Sequence, residues 1–193
     1  MLVRQLINLT NSEIQELVKI LQKVNVVQFG SFTLKDGSIS PVYIDLRILP
    51  NFPNEFKAII KLTSKYIKRS RLDEEFDGII APPLAGIPLG AALALELEKE
   101  FYLARIQQKD HGTKKLIEGN IRNKRILLVD DVITSGISKV PILKTILDHE
   151  GILAGLFVFV NRINNPQDQT NLEERFDLSL TNLLCLENLL KLA

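Results

Sequence analysis

Apolar positions first repeat with a helical period between residues 12 and 24, where Ile14, Leu17, Val18, Leu21 and Val24 share one face. Thr10-Asn11-Ser12-Glu13 sets capping side chains ahead of that run, where the first backbone N–H groups of a helix need acceptors. Two short extended runs follow, at 31–35 and 41–47, split by Asp36-Gly37. Such a dipeptide accommodates a tight turn, so the pair predicts a hairpin. After Pro53 the helical period returns, with Phe56, Ile59, Ile60 and Ile67 on one face and Pro53 suited to a first turn.

From Asp77 the texture changes. Apolar runs at 78–81, 101–106, 125–129 and 152–160 read as strands, and the stretches at 86–99 and 135–149 between them as helices. Residues 107–125 are polar, charged and punctuated by glycine, which predicts a long loop or irregular hairpin. Continuous apolar strands joined by helices imply a parallel sheet covered on both faces. The expected fold is α/β: a doubly wound, mostly parallel sheet flanked by helices. Residues 1–193 form a single domain in this reading, and residues 1–50 add a small helix-and-hairpin hood.

Composition narrows the function classes. Lys and Arg number 24 against 23 for Asp and Glu, so bulk charge gives no footprint for nucleic acid or a membrane surface. No apolar run approaches the roughly 20 residues of a membrane span. The N-terminus lacks the basic segment and apolar stretch of a secretory leader. The lone cysteine, Cys185, lies in an apolar run, reads as core packing and excludes an internal disulfide framework. A cytoplasmic location is expected.

The chemistry concentrates in 125–136, Arg-Ile-Leu-Leu-Val-Asp-Asp-Val-Ile-Thr-Ser-Gly. The pattern is a buried strand ending in Asp130 and Asp131, then a short hydroxyl- and glycine-bearing loop that opens a helix. Open α/β sheets bind ligands at the carboxyl ends of their strands. Hydroxyls and amides at a helix start cradle phosphate. Two ionised carboxylates would repel that phosphate unless they accept from something else, and ribose hydroxyls are suitable donors. The segment asks for a sugar phosphate. An isolated Asp-Asp would more often end a strand and cap a helix.

The whole string closely resembles the phosphoribosyl-diphosphate signature of type I phosphoribosyltransferases. Two more segments resemble orotate phosphoribosyltransferases. One is 29–37, Phe-Gly-Ser-Phe-Thr-Leu-Lys-Asp-Gly, continuing through Ser40-Pro41-Val42-Tyr43-Ile44-Asp45-Leu46-Arg47. The other is 109–119, Lys-Asp-His-Gly-Thr-Lys-Lys-Leu-Ile-Glu-Gly, most similar to the orotate domain of bifunctional UMP synthases. The resemblance implies transfer of a phosphoribosyl group from phosphoribosyl diphosphate to orotate, giving orotidine 5′-phosphate and pyrophosphate.

It also implies roles. Lys35, Ala85, Arg105, Lys109, His111 and the segment Asp130, Asp131, Val132, Ile133, Thr134, Ser135, Gly136, Ile137 and Ser138 would contact phosphoribosyl diphosphate. Lys35, Tyr43, Ile44, Thr134 and Arg162 would contact orotate. Lys109, His111 and Asp131 would serve catalysis, with Lys109 and His111 on a mobile flap that reaches the neighbouring site of a homodimer. Mg²⁺ is the implied cofactor, held mainly through diphosphate and ribose oxygens rather than by protein ligands.

Two departures stand out. Many family members carry lysine where this chain has Ala85, and Arg-Lys-Glu where it has Arg105-Ile106-Gln107. A lost charge-assisted hydrogen bond is worth roughly 1.5–3 kcal/mol, about 10- to 100-fold in rate if it acts on the transition state. Two other readings therefore stay open: transfer to another nucleobase, and a non-catalytic protein that binds phosphoribosyl diphosphate as a regulator.

Overall fold

The first helix, α1 (Asn11–Lys23), opens on a capping box: the Glu13 amide donates to Thr10 Oγ1 at 3.2 Å and the Thr10 amide to Glu13 Oε2 at 2.8 Å. The computed structural model describes residues 9–33, 39–105 and 116–191. Leu17, Val18 and Leu21 are buried, as the period requires. Strands β1 (Val27–Thr33) and β2 (Ile39–Ile44) pair antiparallel with a register shift between Phe29 and Phe32. The hairpin forms as expected, although β1 starts well before residue 31; the predicted turn at Asp36-Gly37 lies outside the described residues.

Helix α2 (Pro53–Arg69) buries Ile59, Ile60 and Ile67. It holds α1 in place through Arg69, whose Nη1 and Nη2 donate to the Glu13 carboxylate at 2.8 and 3.0 Å. These contacts pull the Glu13 pKa down to about 2, with the Arg69 hydrogen bond the largest cause.

The body is a six-stranded sheet in the order β5-β4-β3-β6-β7-β8 among the described residues. Its strands are β3 (Gly78–Ala81), β4 (Glu100–Ala104), β5 (Ile117–Glu118), β6 (Arg125–Ile133), β7 (Ile152–Asn161) and β8 (Leu180–Cys185). All pairings are parallel except β4 with β5. The mostly parallel, doubly wound sheet is the expected one.

Strand periodicity splits the core in two. Ile79, Leu127, Val129, Phe157 and Phe159 join the cluster that includes α1, α2 and α3 (Gly86–Glu96). Ile80, Ile126, Leu128, Leu156 and Val158 face the opposite cluster, with α4 (Val140–Asp148) and α5 (Pro166–Phe176). Hood residues Leu17, Val26 and Val42 belong to the first cluster, so the hood shares the core of the body.

Two boundaries flanking the turn after β6 differ from the sequence reading. The strand expected at 125–129 runs on to Ile133, because β7 pairs with it as far as Asn161. The helix expected from 135 starts only at Val140, after Gly136 adopts a left-handed φ of 75° and a short 3₁₀ turn (Ile137–Lys139) intervenes. Pro141 sits in the first turn of α4, where its missing N–H costs nothing. Cys185 is half-buried rather than in the core. Its thiol donates to Asn188 Oδ1 at 3.0 Å at the start of α6 (Leu186–Leu190).

Candidate active site

Strand β3 has β4 on one side and β6 on the other, so the topology reverses between β3 and β6. Carboxyl ends of strands at such a point form the crevice where open α/β sheets bind ligands. A cavity of about 530 Å³ opens there. Its walls include Pro82 and Ala85 after β3, Asp130 and Asp131 of β6, Ser138 and Lys139 after β6, and Arg47 and Arg105. Gly86 is required where α3 begins. A Cβ on it would lie 2.9 Å from Pro82 Cδ and 3.0 Å from Asp130 Oδ1.

The paired acids have different surroundings. Asp130 shares the strand parity of Ile126 and Leu128 and turns to the α4 side. It is 5% exposed, and both oxygens are used. Oδ1 accepts from the Asp131 amide at 2.8 Å, and Oδ2 accepts from the Lys139 ammonium, itself buried. Burial pushes the Asp130 carboxyl up from its ordinary range, against the pull of Lys139. Asp131 is half-buried, lines the cavity, and its carboxylate accepts no hydrogen bond from the described residues.

The rest of the segment divides between packing and exposure. Ile133 is buried in the second core cluster, and Val132 packs against the first. Thr134, Ile137 and Ser138 are exposed, Ser135 is half-buried and Gly136 is buried against Leu172. Among them Ser138 lines the cavity. Side chains of Val132 and Ile133 are thus committed to the sheet, leaving the main chain and hydroxyls of the turn for a ligand.

Tyr43 and Ile44 end β2. Tyr43 stacks at 5.5 Å on Phe32, and its hydroxyl accepts from Arg47 Nη2 at 3.4 Å. Arg47, which lines the cavity, grips Asp45 with two 2.7 Å hydrogen bonds. Arg162 follows β7. Its amide donates to the Ile133 carbonyl at 2.8 Å and its Nη2 to Ser40 Oγ at 2.9 Å, so it joins the end of β6 to the hairpin. Burial lowers the Arg162 pKa, and no carboxylate pairs with it among the described residues. Arg105 lines the cavity and pairs with Glu118 of β5, Nε to Oε1 at 2.7 Å. Lys35, Lys109 and His111, like Ile106 and Gln107, lie outside the described residues.

The sequence reading missed Ser40 as the partner of Arg162, Arg47 as a cavity wall, and Lys139 altogether. A lysine between Ser138 and Val140 carries no signal of its own; only the parity of β6 and the turn after it bring it to Asp130.

The Phosphoribosyl transferase domain family matches residues 47–175. Orotate phosphoribosyltransferase of Pyrococcus abyssi is 36% identical over 160 residues, covering 82% of this chain and 87% of that protein. The chain belongs to the orotate phosphoribosyltransferase family. Another relative in this family comparison, uridine 5′-monophosphate synthase of Caenorhabditis elegans, is 33% identical over 150 residues, 77% of this chain and 30% of that larger protein. The crystal structure of orotate phosphoribosyltransferase from Aeropyrum pernix superposes with a TM-score of 0.76 at 28% identity, covering 91% of this chain and 96% of that one. The phosphoribosyltransferase fold expected from the resemblance is the fold observed.

Proposed function

We propose that this chain is an orotate phosphoribosyltransferase that transfers the phosphoribosyl group of phosphoribosyl diphosphate to N1 of orotate, releasing pyrophosphate. The observation that carries the choice of base is Arg162: a half-buried guanidinium joined to the hairpin through Ser40, with no carboxylate partner among the described residues. Leaving a buried charge unpaired is costly, and an anionic base that supplies a carboxylate would relieve it.

The cavity supports the phosphoribosyl half of the reading. Asp131 offers an open carboxylate to ribose hydroxyls, while the Thr134–Ser138 turn supplies hydroxyls and amides for the 5′-phosphate. Tyr43 and Ile44 would wall the base. Positive charge develops on the ribose as its C1 bond to the diphosphate breaks, and no protein nucleophile is needed. Arg105, with Lys109 and His111 by resemblance, would stabilise charge growing on the leaving group. The protein contributes positioning and electrostatics.

Among the described residues no group of three or more His, Cys, Asp or Glu could hold a metal ion. Mg²⁺, carried mainly by diphosphate and ribose oxygens, would neutralise the leaving group. A two-fold homodimer, with the Lys109 flap serving the partner's site, is part of the proposal, as is a cytoplasmic setting. Among the described residues no helix is long and apolar enough to cross a membrane.

The deciding experiment follows orotate absorbance with phosphoribosyl diphosphate and Mg²⁺ present. Steady consumption of orotate, without consumption of adenine or uracil in parallel reactions, is the expected result. Tight binding of phosphoribosyl diphosphate by calorimetry with no turnover would replace transfer by a sensing role.

A further inference from the structure

We propose that Lys139 is an anion-binding residue of this pocket, donating hydrogen bonds to the phosphate oxygens of the phosphoribosyl-diphosphate ligand beside Asp131. The assignment rests on the phosphoribosyl-diphosphate reading of the cavity and adds a residue to it. Lys139 is 7% exposed, yet it lines the cavity. An ammonium has three donors. Asp130 Oδ2 takes one, and the remaining two have no acceptor among the described residues. A buried cation with spare donors on a cavity wall is a place for an anion.

The charge balance agrees. Of the other cations lining the cavity, Arg47 is matched by Asp45 and Arg105 by Glu118. What remains is Asp130 and Asp131 against Lys139, a net of minus one. Without Lys139 the same wall would carry minus two, and a diphosphate would enter against two uncompensated carboxylates. The loop after β3 brings no cation of its own, since Pro82, Pro83, Leu84 and Ala85, which line the cavity there, are all uncharged.

Stability does not account for the pair. Replacing a buried ion pair by apolar residues of similar size is often neutral or stabilising. Lys139 arrives by geometry: Gly136 turns the chain back, and the 3₁₀ turn sets Lys139 over the face of β6 to which Asp130 points.

The test measures calorimetric affinity for phosphoribosyl diphosphate and for inorganic pyrophosphate, each with Mg²⁺. It compares wild type, Lys139→Met, and Lys139→Met combined with Asp130→Asn. Loss of a charged hydrogen bond should weaken both ligands about 10-fold or more in Lys139→Met. The double variant leaves no lone buried carboxylate and keeps its fold, so it decides the matter even if Lys139→Met does not fold. Pyrophosphate should stay at least about 10-fold weaker there. If Lys139 served only to neutralise Asp130, the double variant would regain wild-type pyrophosphate affinity and the assignment would be overturned. Wild-type affinity in a folded Lys139→Met would overturn it too. Should wild type bind neither ligand, the phosphoribosyl-diphosphate reading falls first and takes this role with it.

Discussion

Exchanging Asp130 and Asp131 one at a time for Asn should separate two effects that the sequence presents as one motif. In Asp130→Asn the buried Lys139 ammonium loses its counter-charge. Breaking a buried pair costs about 3–5 kcal/mol, and the low end applies because an amide oxygen can still accept from Lys139. For a chain of this size about 1 kcal/mol moves Tm by roughly 2–4 °C, so Asp130→Asn should melt about 6–12 °C below wild type. Asp131 is half-buried with a carboxylate free of protein donors, so Asp131→Asn should stay within about 0.5 kcal/mol. Its turnover should nevertheless fall about 10-fold or more, the loss of one charged hydrogen bond to the ribose. Calorimetric melting and orotate absorbance on the same preparations read both quantities. A melting loss confined to Asp131→Asn, with Asp130→Asn as stable as wild type, would refute the division of roles between the two acids.

Arg162→Gln should raise the orotate KM about 10-fold or more while the affinity for phosphoribosyl diphosphate, measured by calorimetry, stays near wild type; equal weakening of both would take Arg162 away from the base. The Glu13 pKa is lowered to about 2, so its contribution to stability is fully present above its ordinary value near 4.5 and is lost as pH falls from there towards 2. The Tm gap between wild type and Glu13→Gln should accordingly be wide at pH 7 and close on acidification, and a gap constant with pH would rule out the Arg69 pairing as its source. Lys109→Ala and Asp131→Asn, unfolded and refolded together, should recover roughly a quarter of wild-type turnover, because about half of the dimers are mixed and each mixed dimer holds one intact site. No recovery, with mixed dimers seen by mass, would confine the flap to its own subunit.

The mostly parallel sheet, the first two helices and the candidate character of the Asp-Asp segment were legible in the sequence alone, because each rests on local regularities. Buried parallel strands read as unbroken apolar runs, α1 and α2 carry their period and their start signals, and the Asp-Asp–Thr-Ser-Gly string packs its chemistry into a few consecutive residues. Helix α5 escaped because it is mostly polar, burying Leu172, and β8 because its apolar run passed for core packing without a strand pattern. Tertiary structure decided where each described site residue sits and what it touches. Strand pairing with β7 carried β6 past the acids, and its twofold alternation sent Asp130 and Asp131 into different surroundings. Ser40 met Arg162 across 122 positions of chain, and Lys139 met Asp130 because a left-handed Gly136 folded the turn back. Such pairings depend on where separate elements come to rest, and no spacing within one segment encodes them.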